Sequence, residues 1–120
     1  MEATVKVFKA LADESRVKVL WMLEARPLCV CEIQAALGLS QSSVSRHLQQ
    51  LEEAGFVTSA RRGSWKDYML HPAPSALVQG LTAQVRAVAL CDPSAEPEAA
   101  RVRELAAKVC RDELCGVGAA

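Results

Sequence analysis

The sequence predicts a mainly α-helical domain with one small β-hairpin, and three observations carry that prediction. Apolar residues make up 51% of the chain but aromatics only 4%, so the core must be built from Leu, Val and Ala, as in packed helices rather than in a sandwich. Two short helical patterns meet at Gly38, which is how a helix-turn-helix reads. Two strand-like runs follow at once, around the turn signal Arg61-Arg62-Gly63-Ser64.

Taken in order, the first helix covers residues 1–10, with Val5, Phe8 and Leu11 at helical spacing. Asp13 is placed to cap a second helix running to Ala25, with Glu14 in its first turn, Val17, Leu20, Trp21 and Leu23 on an apolar side, and Pro27 as its stop. A short third helix spans about 30–37, with Ile33, Ala36 and Leu37 inward and Gly38 just past its end. Ser40 caps a fourth helix whose buried stripe is Val44, Leu48 and Leu51 and which Gly55 ends. Strand-like residues 56–58 and 65–70 make a hairpin with a basic tip, Trp65 packing its base. Beyond His71-Pro72-Ala73-Pro74, Leu77, Leu81, Val85 and Val88 recur at helical spacing, with Ala76, Gly80, Ala83 and Ala87 allowing close approach of another helix. Residues 92–97 interrupt the pattern before a last helix with Val102, Leu105, Ala106 and Val109. Residues 1–91 thus form one domain, and 92–120 a C-terminal helix and tail that belongs to it or is partly disordered.

A chain of 120 residues buries only about two thirds of its unfolded surface as a monomer, so a partner subunit would help it. Lys plus Arg and Asp plus Glu are 14 each, which excludes a global positive field drawing the protein to polyanions. Any basic surface is local: residues 40–66 carry Arg46, Arg61, Arg62 and Lys66 against Glu52 and Glu53. The N-terminal residues lack a signal-peptide pattern, and no apolar run reaches the roughly 18 residues that cross a bilayer. Five cysteines, two of them one residue apart, suit reduced thiols in a cytoplasm better than a disulfide framework.

On the fourth helix the residues not spent on the core are Gln41, Ser42, Ser43, Ser45, Arg46 and Gln49. Nearly all form hydrogen bonds, and they crowd the N-terminal end, which recognition helices press against base edges. Gln suits adenine and Arg suits guanine in the major groove, while serines suit phosphates and let the backbone approach. A polar helix face alone would read as solvated surface. The hairpin with Arg61, Arg62 and Lys66 directly after it is what makes the winged-helix order, in which the wing meets DNA backbone or minor groove. His47 reads as a satisfied half-buried histidine, and His71 has no ligand-type neighbour at useful spacing.

Cys29 and Cys31 open the third helix in Leu28-Cys29-Val30-Cys31-Glu32-Ile33. One buried cysteine would read as a small core residue. Two within a turn, ahead of a DNA-reading helix, read as a chelating pair for a soft ion, and the helix N-terminus favours their thiolates. Residues two apart on an ideal helix point about 200° from each other, so binding one ion must distort that turn. The connection Gly38-Leu39-Ser40 is short enough to pass the distortion to Gln41 and Arg46.

The chain resembles the ArsR/SmtB family of bacterial metal-responsive winged-helix repressors, in particular its arsenic-responsive members. The resemblance covers roughly residues 7–70, through Leu11-Ala12-Asp13-Glu14-Ser15-Arg16, the Cys29 and Cys31 segment, Leu39-Ser40-Gln41-Ser42-Ser43-Val44-Ser45-Arg46-His47-Leu48 and Glu53-Ala54-Gly55-Phe56-Val57. It implies a homodimer joined through the first helix and the helix at 76–90, binding a near-palindromic duplex operator with half-sites about 34 Å apart. It also implies As(III) or Sb(III) as the inducer, held by Cys29 and Cys31, with no organic cofactor. Where relatives often carry a third cysteine this chain has Gln34, so a third sulfur would come from Cys91, Cys110 or Cys115 of either subunit, or from a buffer thiol, or the pair suffices. Two other readings stand beside this one. The same thiols could answer Cd, Pb or Zn, or oxidation. A thiol-dependent arsenic-transforming enzyme is the reading from another class; against it, there is no oxyanion loop, no Cys-x-x-Cys and no His, Asp or Glu grouped with a nucleophile.

Overall fold

A computed structural model describes residues 1–108. The elements run α1 (Glu2–Ala10), α2 (Glu14–Leu23), β1 (Leu28–Cys29), α3 (Val30–Leu37), α4 (Gln41–Ala54), β2 (Val57–Arg62), β3 (Trp65–Leu70), α5 (Ala76–Cys91) and α6 (Glu96–Lys108). The order agrees with the sequence reading except at β1, two residues that turn the hairpin into a three-stranded antiparallel sheet of order β1-β3-β2. Leu28 pairs with Tyr68 and Cys29 with Asp67, while β2 and β3 pair from Val57↔Leu70 to Arg62↔Trp65.

α2 is the axis of the core. Its residues Val19, Leu20, Trp21, Met22 and Leu23 are all buried, so its C-terminal half is covered on every side. Asp13 caps it, accepting from the Ser15 and Arg16 amides at 2.8 and 3.3 Å. The Trp21 indole donates to the Val85 carbonyl at 2.9 Å, fixing α2 against α5. α6 lies across α2 and α3, burying Ala99, Val102 and Ala106; Pro97 sits in its first turn, where a missing amide hydrogen costs nothing.

On two helices the apolar residues fall on both a buried and an exposed side. α1 buries Val7 and Ala10 and leaves Val5 and Phe8 exposed, and α5 buries Val78, Val85 and Ala89 while Val88 and Leu90 face out. Each helix has more than one apolar side, so spacing alone does not say which side meets the core.

α3 and α4 are joined by Gly38, whose φ of 69° is the left-handed conformation a Cβ would strain, and Gly55 ends α4 in the same way at φ 90°. Val44, Leu48 and Leu51 of α4 are fully buried, which turns its other side outward. The Phe56 amide bonds back to the Leu51 carbonyl at 2.9 Å, and the chain enters the hairpin directly.

Candidate functional site

The outward side of α4 carries the candidate DNA-reading residues. Gln41, Ser42, Ser45 and Arg46 are exposed and Ser43 is half-buried. Ser40 closes the N-terminus, accepting from the Ser43 amide at 3.2 Å and donating to the Ser43 hydroxyl at 2.9 Å. Gln49 is engaged along the helix with Glu53 at 3.3 Å, and Glu52 accepts from the Ser59 hydroxyl at 3.2 Å, tying α4 to β2. In the wing, Arg61, Arg62 and Lys66 are exposed. Arg62 is ion-paired to the buried Asp67 at 3.2 Å, and the Lys66 ammonium lies 5.3 Å from the Tyr68 ring centre. All eight predicted residues therefore occur on α4 or on the hairpin that follows it.

Arg16 is a residue whose role the sequence reading missed. It donates to the carbonyls of Ala10 at 2.7 Å and Lys9 at 3.2 Å, bonds His47 Nδ1 at 3.1 Å and reaches Gln50. One guanidinium thus joins the end of α1 to the back of α4. Burial holds the His47 pKa below its ordinary value of about 6.5, with the Arg16 and Arg46 charges adding to the depression and Asp13 opposing it. A depressed folded pKa means that the unfolded chain takes up the proton first, so stability falls as pH drops through 6.5 toward the folded value. Thermal unfolding between pH 7.5 and 5.5 should show this loss. It should be smaller in His47→Asn, which keeps an acceptor near the Nδ1 position and cannot titrate; equal loss in both proteins would remove His47 as the cause.

Cys29 and Cys31 do not share a helix. Cys29 is the last residue of β1 and the N-cap of α3, extended at φ −88° and ψ 168°, and it is buried; Cys31 lies in the first helical turn, half-buried. The 200° separation expected for two helical residues therefore does not apply, because one of the pair belongs to the strand. Glu32 fixes this junction: its carboxylate accepts the Cys29 amide at 2.9 Å and pairs with Arg26 at 3.1 Å. Burial alone would raise the Glu32 pKa, but hydrogen bonds from Cys29 and Arg26 together hold it below the usual carboxylate value. Arg26 also donates to the Ala106 carbonyl at 3.0 Å, anchoring the end of α6 beside the junction.

Of the other candidate ligands, Cys91 is exposed at the end of α5, and Cys110 and Cys115 lie outside the described residues. Among the described residues no three His, Cys, Asp or Glu side chains cluster as a metal site would. The donor chemistry nevertheless suits a thiophilic ion, since the two thiols are soft and only one residue apart in the chain. Among the described residues, no helix is long and apolar enough to cross a membrane.

Residues 13–59 match the family described as "Bacterial regulatory protein, arsR family". An arsenic resistance transcriptional regulator of Pseudomonas putida, ArsR2, is 34% identical over 113 residues, 91% of this chain and 94% of that one. The chain belongs to the ArsR family. A second P. putida regulator of arsenic resistance, ArsR1, is 49% identical over 67 residues, a match that spans 55% of this ArsR-family chain and 52% of that relative. In structure the chain is similar to a homodimeric winged helix-turn-helix DNA-binding domain from Mycobacterium bovis, with a TM-score of 0.64 at 29% identity over 77% of this chain and 82% of that one. α3 and α4 are the helix-turn-helix of this fold, and β2 and β3 its wing.

Proposed function

We propose that this chain is a cytoplasmic, homodimeric transcriptional repressor that holds a duplex operator and releases it when trivalent arsenic or antimony binds Cys29 and Cys31. The observation that carries the reading is the place of the thiols. Cys29 ends a strand of the wing sheet and Cys31 lies in the first turn of the helix that leads to α4, so one ion bridging them acts on both DNA-contacting elements. The names of the P. putida relatives support arsenic as the signal.

Met1, Val5 and Phe8 of the α1 region and Val88 and Leu90 of α5 are exposed apolar residues, and a second copy would cover them. Two copies of α4 then meet two half-sites, Gln41 and Arg46 reading base edges while Ser42, Ser43 and Ser45, with Arg61, Arg62 and Lys66, hold phosphates. Arsenous acid reacts without electron transfer: each thiol replaces one hydroxyl on arsenic, forming an arsenic–sulfur bond and releasing water. Cys29 and Cys31 supply two such bonds, and Cys91, Cys110, Cys115 or an external thiol any third.

The test is a duplex selected from a random pool by the protein, followed by fluorescence anisotropy. Binding should weaken with salt, and arsenite or antimonite should release the duplex where Cd, Pb, Zn and peroxide do not. Release by a divalent ion or by peroxide alone would replace the inducer in this reading, and failure to bind any duplex would end it.

A further inference from the structure

The hairpin meets the thiol junction at one residue, Asp67. It stands in the middle strand of the sheet, opposite Cys29 on one side and Ala60 on the other. Residues directly opposite in an antiparallel pair point to the same face with Cβ atoms about 5 Å apart, and the diagonal neighbour two positions along is within reach of a long side chain. Arg62, opposite Trp65, is that diagonal neighbour, and its guanidinium pairs with Asp67 at 3.2 Å. The Asp67 side chain is only 10% exposed while that of Arg62 is 71% exposed. A buried carboxylate thus grips an outward-reaching cation at the tip of the wing.

We infer that Asp67 is a positioning residue that relays inducer binding at Cys29 to Arg62, so that the wing, and not only α4, lets go of DNA. The inference rests on the thiol reading above. An ion that draws the Cys29 side chain toward Cys31 pulls on a strand residue whose ladder partner is Asp67. The pair Cys29↔Asp67 is the last of the β1–β3 register, so it is where β1 is most easily drawn off. Moving Asp67 moves its hold on Arg62, and a phosphate contact is lost. This route does not pass through Gly38. It also separates the wing arginines: Arg61 is adjacent in the strand and so faces the other side of the hairpin, away from Asp67.

The experiment measures, on full-length protein, the ratio of duplex affinities without and with saturating arsenite, together with the arsenite stoichiometry and amide exchange in 57–70. In Asp67→Asn and in Arg62→Ala, arsenite should still bind with the parent stoichiometry, but the affinity ratio should shrink by about fivefold or more, the lower end of ordinary coupling. The arsenite-dependent exchange in 57–70 should vanish in Asp67→Asn. Arg61→Ala should weaken duplex binding yet keep the full ratio, which a simple loss of positive charge would not distinguish from Arg62→Ala. Should Asp67→Asn fail to fold, Arg62→Ala, on an exposed side chain, decides alone. A parent-like ratio in Arg62→Ala, or in both variants, overturns the relay while leaving the thiol reading intact; a parent protein that takes up no arsenite at Cys29 and Cys31 overturns both.

Discussion

Cys31→Ser should bind the duplex and ignore arsenite, its affinity ratio without and with inducer collapsing from the roughly 5- to 150-fold expected of an allosteric ligand to about one. A hydroxyl is a hard, weakly basic donor and does not substitute for a thiolate on arsenic. Cys31 is half-buried in the first turn of α3, so the change removes little packing. Cys29→Ser tests the same point at a position where a loss of fold would be the first worry. Cys29 is buried at the N-cap of α3, and a misplaced buried hydroxyl costs about 1 to 3 kcal/mol. Serine, however, is among the preferred N-cap residues, worth about 1 kcal/mol over alanine there. The two terms oppose each other, and the variant should fold with stability near that of the parent by urea titration. Normal release of the duplex by arsenite in both variants would remove the thiols from the mechanism.

Arg46→Ala should weaken binding to the selected duplex by about 1 to 3 kcal/mol, roughly 5- to 150-fold, and relax its preference at one base position. Arg46 is exposed on the outward side of α4, where a bidentate contact to guanine is within a recognition helix's reach. Arg61→Ala should act differently, lowering affinity evenly across sequences and reducing the salt slope by about one. Binding to variant duplexes at several salt concentrations separates the two; an even loss in Arg46→Ala would make it a phosphate contact instead.

The helix-turn-helix and hairpin were legible in the sequence because each rule behind them is local. Asp13 and Ser40 cap, Gly38 and Gly55 stop, and Val44, Leu48 and Leu51 mark the buried side of α4 by period alone. What the sequence hid has no local rule. β1 is two residues long, too short to show a strand's alternation, and it exists because β3 offers a free edge to pair with. That pairing makes Cys29 a strand residue, whereas the separation of about 200° had both thiols on one helical turn. Arg16 was legible as part of a family motif but not as a bridge between α1 and α4, since its partners lie up to 34 residues away. Val5 and Phe8, by contrast, were legible as a spare apolar face of the first helix, and in the single chain that face is exposed.

Because Cys29 both ends β1 and caps α3, no linker separates strand from helix. A residue inserted between 29 and 31 would cost the sheet its register or the helix its cap, and would part the thiols as well. The hairpin tip around Gly63 bears no such double duty, and exposed turns of this kind tolerate insertions. In this chain the wing is thus free to lengthen, while the strand-to-helix junction must keep its length.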